Sequence, residues 1–210
     1  MVKTWLKEVE VSELKHLASS ITSGAATMLC LTALELESLE ALTVSALYTL
    51  PLIVSSKYSI KIYRNISINT GALSPIIMSL IQAALLTKFI PPYTYLTLIA
   101  ISSIITWTSS SYIEGVGVGA HLLVPTLAAS SISAISVELL KIKPILSAPI
   151  AYSVSTLSVL VSVDIVAATP FYLRSRRVEV GGRGPLDLLT LSPTLSSLLS
   201  IALACLQHGI

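Results

Sequence analysis

Charged side chains are scarce in this chain of 210 residues, where they make up 11% of the sequence. Ordinary soluble domains carry roughly a quarter, so a soluble protein of this length would have too few charges to cover its surface. Apolar residues make up 53% and stand in long blocks, as they do in membrane spans. The net charge of +2 gives no strong attraction to nucleic acid. We therefore expect an integral membrane protein whose partner is the lipid bilayer, with no nucleic-acid partner.

Cysteine and the side-chain amides are also rare. The two cysteines, Cys30 and Cys205, both lie in apolar stretches, which argues against a disulfide framework or a cysteine-based metal site. No nucleotide-binding loop, dinucleotide fingerprint or metalloprotease motif occurs, and the sequence predicts neither a cofactor nor a metal. Asn and Gln occur only at residues 65, 69, 82 and 207. Depletion of these thermolabile amides is typical of a heat-adapted source.

Seven stretches are candidates for membrane helices, each of which needs about 20 mostly apolar residues. They cover residues 17–34, 39–56, 67–88, 92–110, 118–140, 144–168 and 186–206. The first stretch is rich in Ser, Thr, Gly and Ala, which suits close helix packing in lipid. The sequence thus predicts an all-α polytopic bundle of about seven transmembrane helices, or six if the first stretch does not span.

The N-terminal residues 1–16 differ from the rest, because charged side chains interrupt them before any apolar run. That pattern does not fit a secretory signal peptide. It is typical of an amphipathic helix lying on the membrane surface, and a plain soluble helix is an equal alternative. We expect residues 1–16 to form a juxtamembrane segment and residues 17–210 to form a single transmembrane domain.

The distribution of Lys and Arg predicts the orientation in the cell membrane. With seven spans and a cytoplasmic N-terminus, ten of these residues lie inside and three outside, as the positive-inside rule requires. If the first stretch did not span the membrane, seven of these Lys and Arg residues would lie on one side and six on the other, which is no bias. Residues 56–69 alternate polar and apolar side chains at the cytoplasmic face, which is compatible with a short strand pair or with a basic helix end.

Two acidic residues lie in or next to apolar stretches. Asp164 lies within the predicted sixth span, where a charged residue is costly and usually faces protein or a water-filled cavity. We favour a proton-binding, cation-binding or catalytic carboxylate over a structural anchor bonded to Ser, Thr or Arg. Asp187 opens the seventh span two residues after Pro185. Helix capping explains that position completely.

Other polar or flexible positions gather on the same predicted face. The run GVGVGAH places Gly115, Gly117 and Gly119 before His121, and backbone amides there can approach a ligand closely. A lone histidine near a span end is more often structural. Asn69 precedes the third span as a candidate helix cap. With both acids, these residues suggest a membrane cavity with a site, although helix ends are polar in any case.

The stretches around these residues resemble an uncharacterised family of archaeal and bacterial membrane proteins catalogued as domain of unknown function 1614. The similar stretches are SINTGALSPII, GVGVGAHLLVPTL, SAPIAYSVSTLSVLVSVDIV and VGGRGPLDLLTLSP. The family pattern implies Asp164 and Asp187 as paired acids, with Gly182 and Gly184 before the second. This sequence departs from the pattern at Val163 and Leu188. The resemblance implies no activity.

A looser resemblance is to intramembrane aspartyl proteases with a Gly-x-Gly-Asp motif, which place one catalytic Asp on each of two consecutive helices. Here GRGPL precedes the second Asp, and the usual tyrosine before the first is absent. This resemblance implies catalysis by Asp164 and Asp187. The glycines named above, His121 and Asn69 would then bind or gate a substrate whose identity is open.

A proton- or cation-coupled carrier is the alternative to an aspartyl hydrolase, since an intramembrane acid beside glycine-broken helix ends also suits ion binding. The chain is short for a complete carrier, so a homo-oligomer is then expected, and no inverted repeat is visible. A non-catalytic scaffold or complex subunit, with both acids structural, is the third hypothesis.

Overall fold

The computed structural model describes residues 2–54, 58–63, 66–113, 117–170, 178–180 and 187–208. Within them the fold is predominantly helical, and seven helices form one bundle. They are α1 (Val2–Ala33), α2 (Ser38–Val54), α3 (Thr70–Leu86), α4 (Pro92–Thr108), α5 (Leu123–Leu140), α6 (Ser147–Val159) and α7 (Leu188–His208). A 3₁₀ turn, Pro144–Leu146, leads into α6, and a π-helical segment, Leu160–Ala167, continues it.

Three helical stretches are long and apolar enough to cross a membrane. They are Leu123–Leu140, Pro144–Ala167 and Leu188–Gln207. Two shorter apolar stretches are Ser38–Ile53 and Thr70–Leu86. A helix of 17 residues is about 25 Å long, slightly short of a typical hydrocarbon core. These three helices confirm the prediction of a helical membrane protein.

Five short strands form two small sheets beside the helices. Strands β1 (Ser59–Tyr63) and β2 (Ile66–Asn69) are antiparallel, and β5 (Val178–Val180) lies parallel to β2. Strands β3 (Ser110–Ile113) and β4 (Gly117–Ala120) form a separate antiparallel pair. Two alternatives were expected for residues 56–69, a strand pair and a basic helix end. The strand pair is correct, because Ser59–Tyr63 and Ile66–Asn69 form β1 and β2.

The strands correct two predicted helix starts. The third helix begins at Thr70 and not at residue 67, because residues 67–69 belong to β2. The fifth begins at Leu123 and not at residue 118, because residues 118–120 belong to β4. Gly disfavours a helix by about 0.8–1.0 kcal/mol, and the two glycines of β4 can pair with β3 instead.

The bundle has hydroxyl side chains inside and large aliphatic side chains outside. Ser155, Ser192 and Ser196 are fully buried, whereas Leu47, Leu96 and Leu139 are 63–76% exposed. In water this arrangement would leave a large apolar surface unprotected. In lipid the outward aliphatic groups are well solvated, and small inward residues let helices approach closely. This distribution gives the chain the character of a membrane protein.

The buried hydroxyls are bonded in two ways. Many donate to the carbonyl one turn earlier, as Ser133 does to Ala129 at 2.6 Å, which satisfies the hydroxyl group within its own helix. Others cross between helices: Ser155 and Ser192 join α6 to α7 at 2.8 Å, and Ser102 donates to Ser158 at 3.1 Å. The bonds between helices hold the bundle together. In the described part of the chain, the side-chain amide of Gln82 and the hydroxyls of Ser103, Thr106 and Ser147 are buried without a hydrogen-bond partner.

The N-terminal helix runs from Val2 to Ala33 without a break at residue 16. The expected juxtamembrane segment and the first expected span are thus one continuous helix. The C-terminal half of this helix packs on α2, where Cys30 and Leu31 share an apolar cluster with Tyr48 and Leu52. Residues 17–34 are accordingly a full member of the bundle.

The two ends of the bundle differ. At one end, the turns after α1, α3 and α5 gather around an apolar cluster that includes Leu34, Leu86 and Leu146. On the surface there, Lys143 forms an ion pair with Glu35 at 2.8 Å. The opposite end carries both sheets and a second cluster with Ala72 and Val163. The predicted site residues that the structure describes lie at this sheet-bearing end.

Candidate functional site

Asp164 lies in the π-helical segment that ends the sixth helix. A stretch of π-helix is uncommon and is often found at functional sites. Its neighbours Ser162 and Val163 are buried, Asp164 is partly exposed and Ile165 is about half exposed. Asp164 therefore lies at the edge of the bundle, three residues before the end of the π-helical segment.

Asp187 forms the N-terminal cap of α7. Its Oδ1 accepts a hydrogen bond from the backbone N–H of Leu189 at 3.0 Å. Its carbonyl oxygen accepts from the N–H groups of Thr190 and Leu191. The capping role expected from the sequence is confirmed. A carboxylate here is stabilised by the positive end of the helix dipole, and the cap fixes its position.

Asp164 and Asp187 lie at the same end of the bundle although 23 positions separate them in the sequence. Asp164 lies in the π-helical segment that continues α6, and Asp187 starts α7. Val163, which precedes Asp164, and Leu189, which follows Asp187 by two positions, share one buried apolar cluster. Both acids therefore lie beside the same cluster.

The other predicted site residues take several positions. Asn69 is buried and caps α3, with its Oδ1 accepting from the Gly71 N–H at 2.8 Å. Gly117 and Gly119 belong to β4, whose Val118 packs on the cluster beneath the acids. His121 is exposed after that strand. The remaining candidates, Gly115, Gly182 and Gly184, lie outside the described residues.

The structure therefore brings Asp164, Asp187, Asn69 and the described part of the glycine run to one end of the bundle. His121 follows the glycine run in the sequence, and its side chain is exposed. Among the described residues, no group of three or more His, Cys, Asp or Glu side chains is placed to hold a metal ion. Two carboxyl groups held near each other are suited to share a proton.

A buried chain of hydroxyl groups was not anticipated from the sequence. Tyr152 donates to the Tyr48 hydroxyl at 2.9 Å, and Tyr48 and Ser23 share a hydrogen bond of 2.5 Å. Thr194 donates to Ser23 at 3.0 Å, so the chain links α6, α2, α1 and α7. A tyrosine in the middle of a predicted span signals such a contact, because its buried hydroxyl needs a partner.

Comparison with known proteins gives one match. The family model described as "Protein of unknown function (DUF1614)" matches residues 25–199. The match begins in α1, ends in α7 and includes both acids and the glycine run. The comparison with curated proteins and the comparison with solved structures gave no match.

Proposed function

The chain belongs to that family of proteins of unknown function, and we propose that it is an intramembrane aspartyl hydrolase in which Asp164 and Asp187 form the catalytic pair. The observation that carries the proposal is the placement of these two acids. One lies at the end of α6 and the other at the start of α7, both are partly exposed, and Val163 and Leu189, which lie next to or near them in the chain, share one apolar cluster. A pair of carboxyl groups held close together binds one proton between them, because both cannot ionise easily.

The cap geometry assigns a role to each acid. The N-terminus of α7 favours negative charge on Asp187, so Asp187 is the base that removes a proton from water. The water oxygen then attacks the scissile carbonyl carbon, while Asp164 gives its proton to the carbonyl oxygen. Collapse of the tetrahedral intermediate breaks the C–N bond, and the leaving amine takes a proton from Asp187. The products are a carboxylic acid and an amine, and Asp164 regains the hydroxyl proton.

The proposed setting is the cell membrane, with seven spans and a cytoplasmic N-terminus. The turns after α1, α3 and α5 lie at the opposite end of the bundle, which supports placing the sheet-bearing end on the same side as the start of α1. The positive-inside distribution of Lys and Arg supports that side as cytoplasmic. The outward aliphatic surface of α2 and α4 supports membrane placement of these shorter helices too.

A cleavage assay tests the proposal. The probe is a single-span peptide of about 20 apolar residues with a fluorophore and a quencher at its ends, reconstituted with the full chain. We expect cleavage by the parent protein and loss to background in Asp164→Asn and in Asp187→Asn. Glu40→Gln is the matched control, since Glu40 is an exposed acid on α2, and it should cleave normally. Retained cleavage in Asp164→Asn would refute the hydrolase.

A carrier is the second candidate, and the hydroxyl-rich interior favours it. Thr126, Ser192 and Ser155 form a bonded row across α5, α7 and α6, and Ser158 continues it along α6 toward Asp164. Such hydroxyls can solvate a proton or a small cation along the bundle. The short chain would then act as a homo-oligomer.

Flux measurements distinguish the two candidates. Proteoliposomes with a trapped pH-sensitive dye should show no Asp164-dependent proton flux if the protein is a hydrolase. Flux that disappears in Asp164→Asn, without cleavage of the peptide by the parent, would favour the carrier. Absence of both activities would favour the non-catalytic scaffold.

A further inference from the structure

The central helix of the bundle is uncovered along part of one face. α6 packs against α1, α3, α4, α5 and α7, and its residues 147–156 are all buried. In residues 157–165 the partly exposed positions are Leu157, Leu160, Val161, Asp164 and Ile165. They recur at spacings of three and four, which is one face of a helix. We infer that this face, between α3 and α4, is a groove that binds one acyl chain of a bilayer lipid. The inference goes beyond the proposed hydrolase and does not depend on it.

Contacts on either side of this face identify the two walls of the groove. Val163 shares an apolar cluster with Ala72 of α3, and Ser158 accepts a hydrogen bond from Ser102 of α4. A helix turns once in about 3.6 residues, so the uncovered face lies between these two contacts around the axis of α6. The structure describes α3, α4 and α6 from end to end. Both α3 and α4 pack on α6 but not extensively on each other.

The groove closes toward the end of the bundle opposite the sheets. Residues 87–91 join α3 to α4 there, so the two walls must meet. Leu86 of α3 lies in one apolar cluster with Leu98 of α4 and Ile150 of α6, which covers the first half of α6. The groove therefore opens at the sheet-bearing end and ends near the middle of the central helix.

The length of the groove matches one leaflet of a bilayer. Residues 157–165 span about 13 Å at the rise of an α-helix, and half of a typical hydrocarbon core is about 15 Å. A membrane-spanning helix would need a surface about twice as long. A lipid in the leaflet at the sheet-bearing end would extend its chain toward the middle of the bundle and place its headgroup near the level of Asp164.

The side chains in the groove also favour a lipid chain over a helix. Helices of this protein meet through small hydroxyl side chains, as Ser155 and Ser192 do, because small residues let helix backbones approach closely. The groove instead presents Leu157, Leu160 and Val161, whose branched side chains keep a neighbouring backbone at a distance. A flexible acyl chain can follow such a surface and gain dispersion contacts with it. The occupant is therefore a lipid chain and not a helix of a second copy.

Native mass spectrometry tests the groove. The full chain is reconstituted in vesicles of phosphatidylethanolamine and phosphatidylglycerol, then extracted and washed in detergent to remove loosely held lipid. The parent should retain one phospholipid per chain. Val161→Trp should lower the lipid-bound fraction at least about fivefold, because the indole fills the groove. Leu195→Trp is the matched control, since Leu195 on α7 and Val161 are each 39% exposed, and its lipid-bound fraction should stay within about twofold of the parent.

The same spectra report whether a second copy occupies the groove instead. In that case the parent would appear as a dimer without retained lipid and Val161→Trp as a monomer, which would overturn the inference. A parent that retains no lipid, equal retention in the parent and Val161→Trp, or equal loss in Leu195→Trp would also overturn it. If Val161→Trp does not fold, Ile165→Trp fills the groove one turn further along and replaces it. Lipid retention is measured without a substrate, so failure of the hydrolase would leave this result unchanged.

Discussion

Gly24 of α1 faces Thr49 of α2 with no room for a side chain. A Cβ atom at Gly24 would clash with the Thr49 Oγ1 and lie 3.3 Å from its Cβ. Thr49 is held in place because its hydroxyl donates to the Ser45 carbonyl at 2.7 Å. Gly24→Ala should therefore force α1 and α2 apart or break that hydrogen bond. This contact reports directly on whether residues 17–34 belong to the bundle.

The expected magnitude follows from two opposing effects. Overpacking of this kind costs about 1–3 kcal/mol, while replacing Gly by Ala in a helix gains about 0.8–1.0 kcal/mol. Gly24→Ala should thus lower the free energy of unfolding by up to about 2 kcal/mol. Unfolding of the purified protein in mixed micelles by increasing denaturing detergent measures this quantity. Ala25→Gly, at the exposed next position, measures the helix-propensity effect alone.

A double-mutant cycle isolates the clash. Thr49→Ala removes the obstructing hydroxyl and methyl groups and leaves only the Cβ atom at 3.3 Å, so in its presence Gly24→Ala should destabilise the protein much less. The coupling energy should be about 1–3 kcal/mol, well above the ~0.5 kcal/mol within which independent sites add. Additive effects, or a Gly24→Ala variant more stable than the parent, would refute the packing of α1 against α2.

Three further predictions concern single side chains. Asp187→Asn should keep the cap of α7 and change the unfolding free energy by only a few tenths of a kcal/mol, whereas Asp187→Ala should cost about 1 kcal/mol; equal stability of the two would show that the cap contributes nothing. Tyr48→Phe should cost about 1 kcal/mol by breaking the buried hydroxyl chain, whereas Tyr93→Phe, at an exposed position, should have no effect in the same denaturation assay. The Lys143 ammonium, which bonds to Glu35 and attracts its charge, lowers the pKa of that carboxyl below its usual value. The lowered pKa means that the ion pair stabilises the folded state above about pH 4.3, the unfolded value, and loses this effect as the pH falls through the folded value. A pH series of unfolding midpoints should therefore be slightly flatter for Glu35→Gln on the acidic side, and an unchanged series would contradict the pairing.

Apolar periodicity and length were sufficient to predict where the helices lie. Each of the seven predicted stretches overlaps one of the seven helices, because long apolar runs have few alternatives in lipid. The residues at which the helices begin were harder to predict from the sequence. Residues 118–120 are apolar enough to continue a span, and only their pairing with Ser110–Tyr112 in three dimensions makes them a strand.

The spacing of serines along a helix predicts which face of that helix is buried, which length and hydropathy alone do not. In α7, Ser192, Ser196 and Ser200 recur every four residues, which is one face of a helix, and all are buried. That spacing predicts an inward hydroxyl stripe and an outward aliphatic face. The contacts between stripes, such as Ser155 with Ser192, depend on helix neighbours that one sequence does not specify.

The two acids could be singled out from the sequence, but their surroundings could not. Asp164 and Asp187 stand out because acids are costly in apolar segments, and their placement at one end of the bundle follows from the end of α6 and the start of α7. The π-helical segment that presents Asp164 has no sequence signal of its own.

The distance between the two carboxyl groups tests the central claim most directly. Asp164 and Asp187 are the only aspartates in the chain, so ¹³C-labelled aspartate marks these two carboxyl groups alone. Solid-state NMR recoupling in lipid bilayers then measures the distance between the two carboxyl carbons without ambiguity. The proposed catalytic pair predicts a distance within about 6 Å, at which like charges strongly disfavour double ionisation. A distance beyond about 10 Å, where exposed charges are largely screened, would contradict a proton-sharing pair and with it the hydrolase.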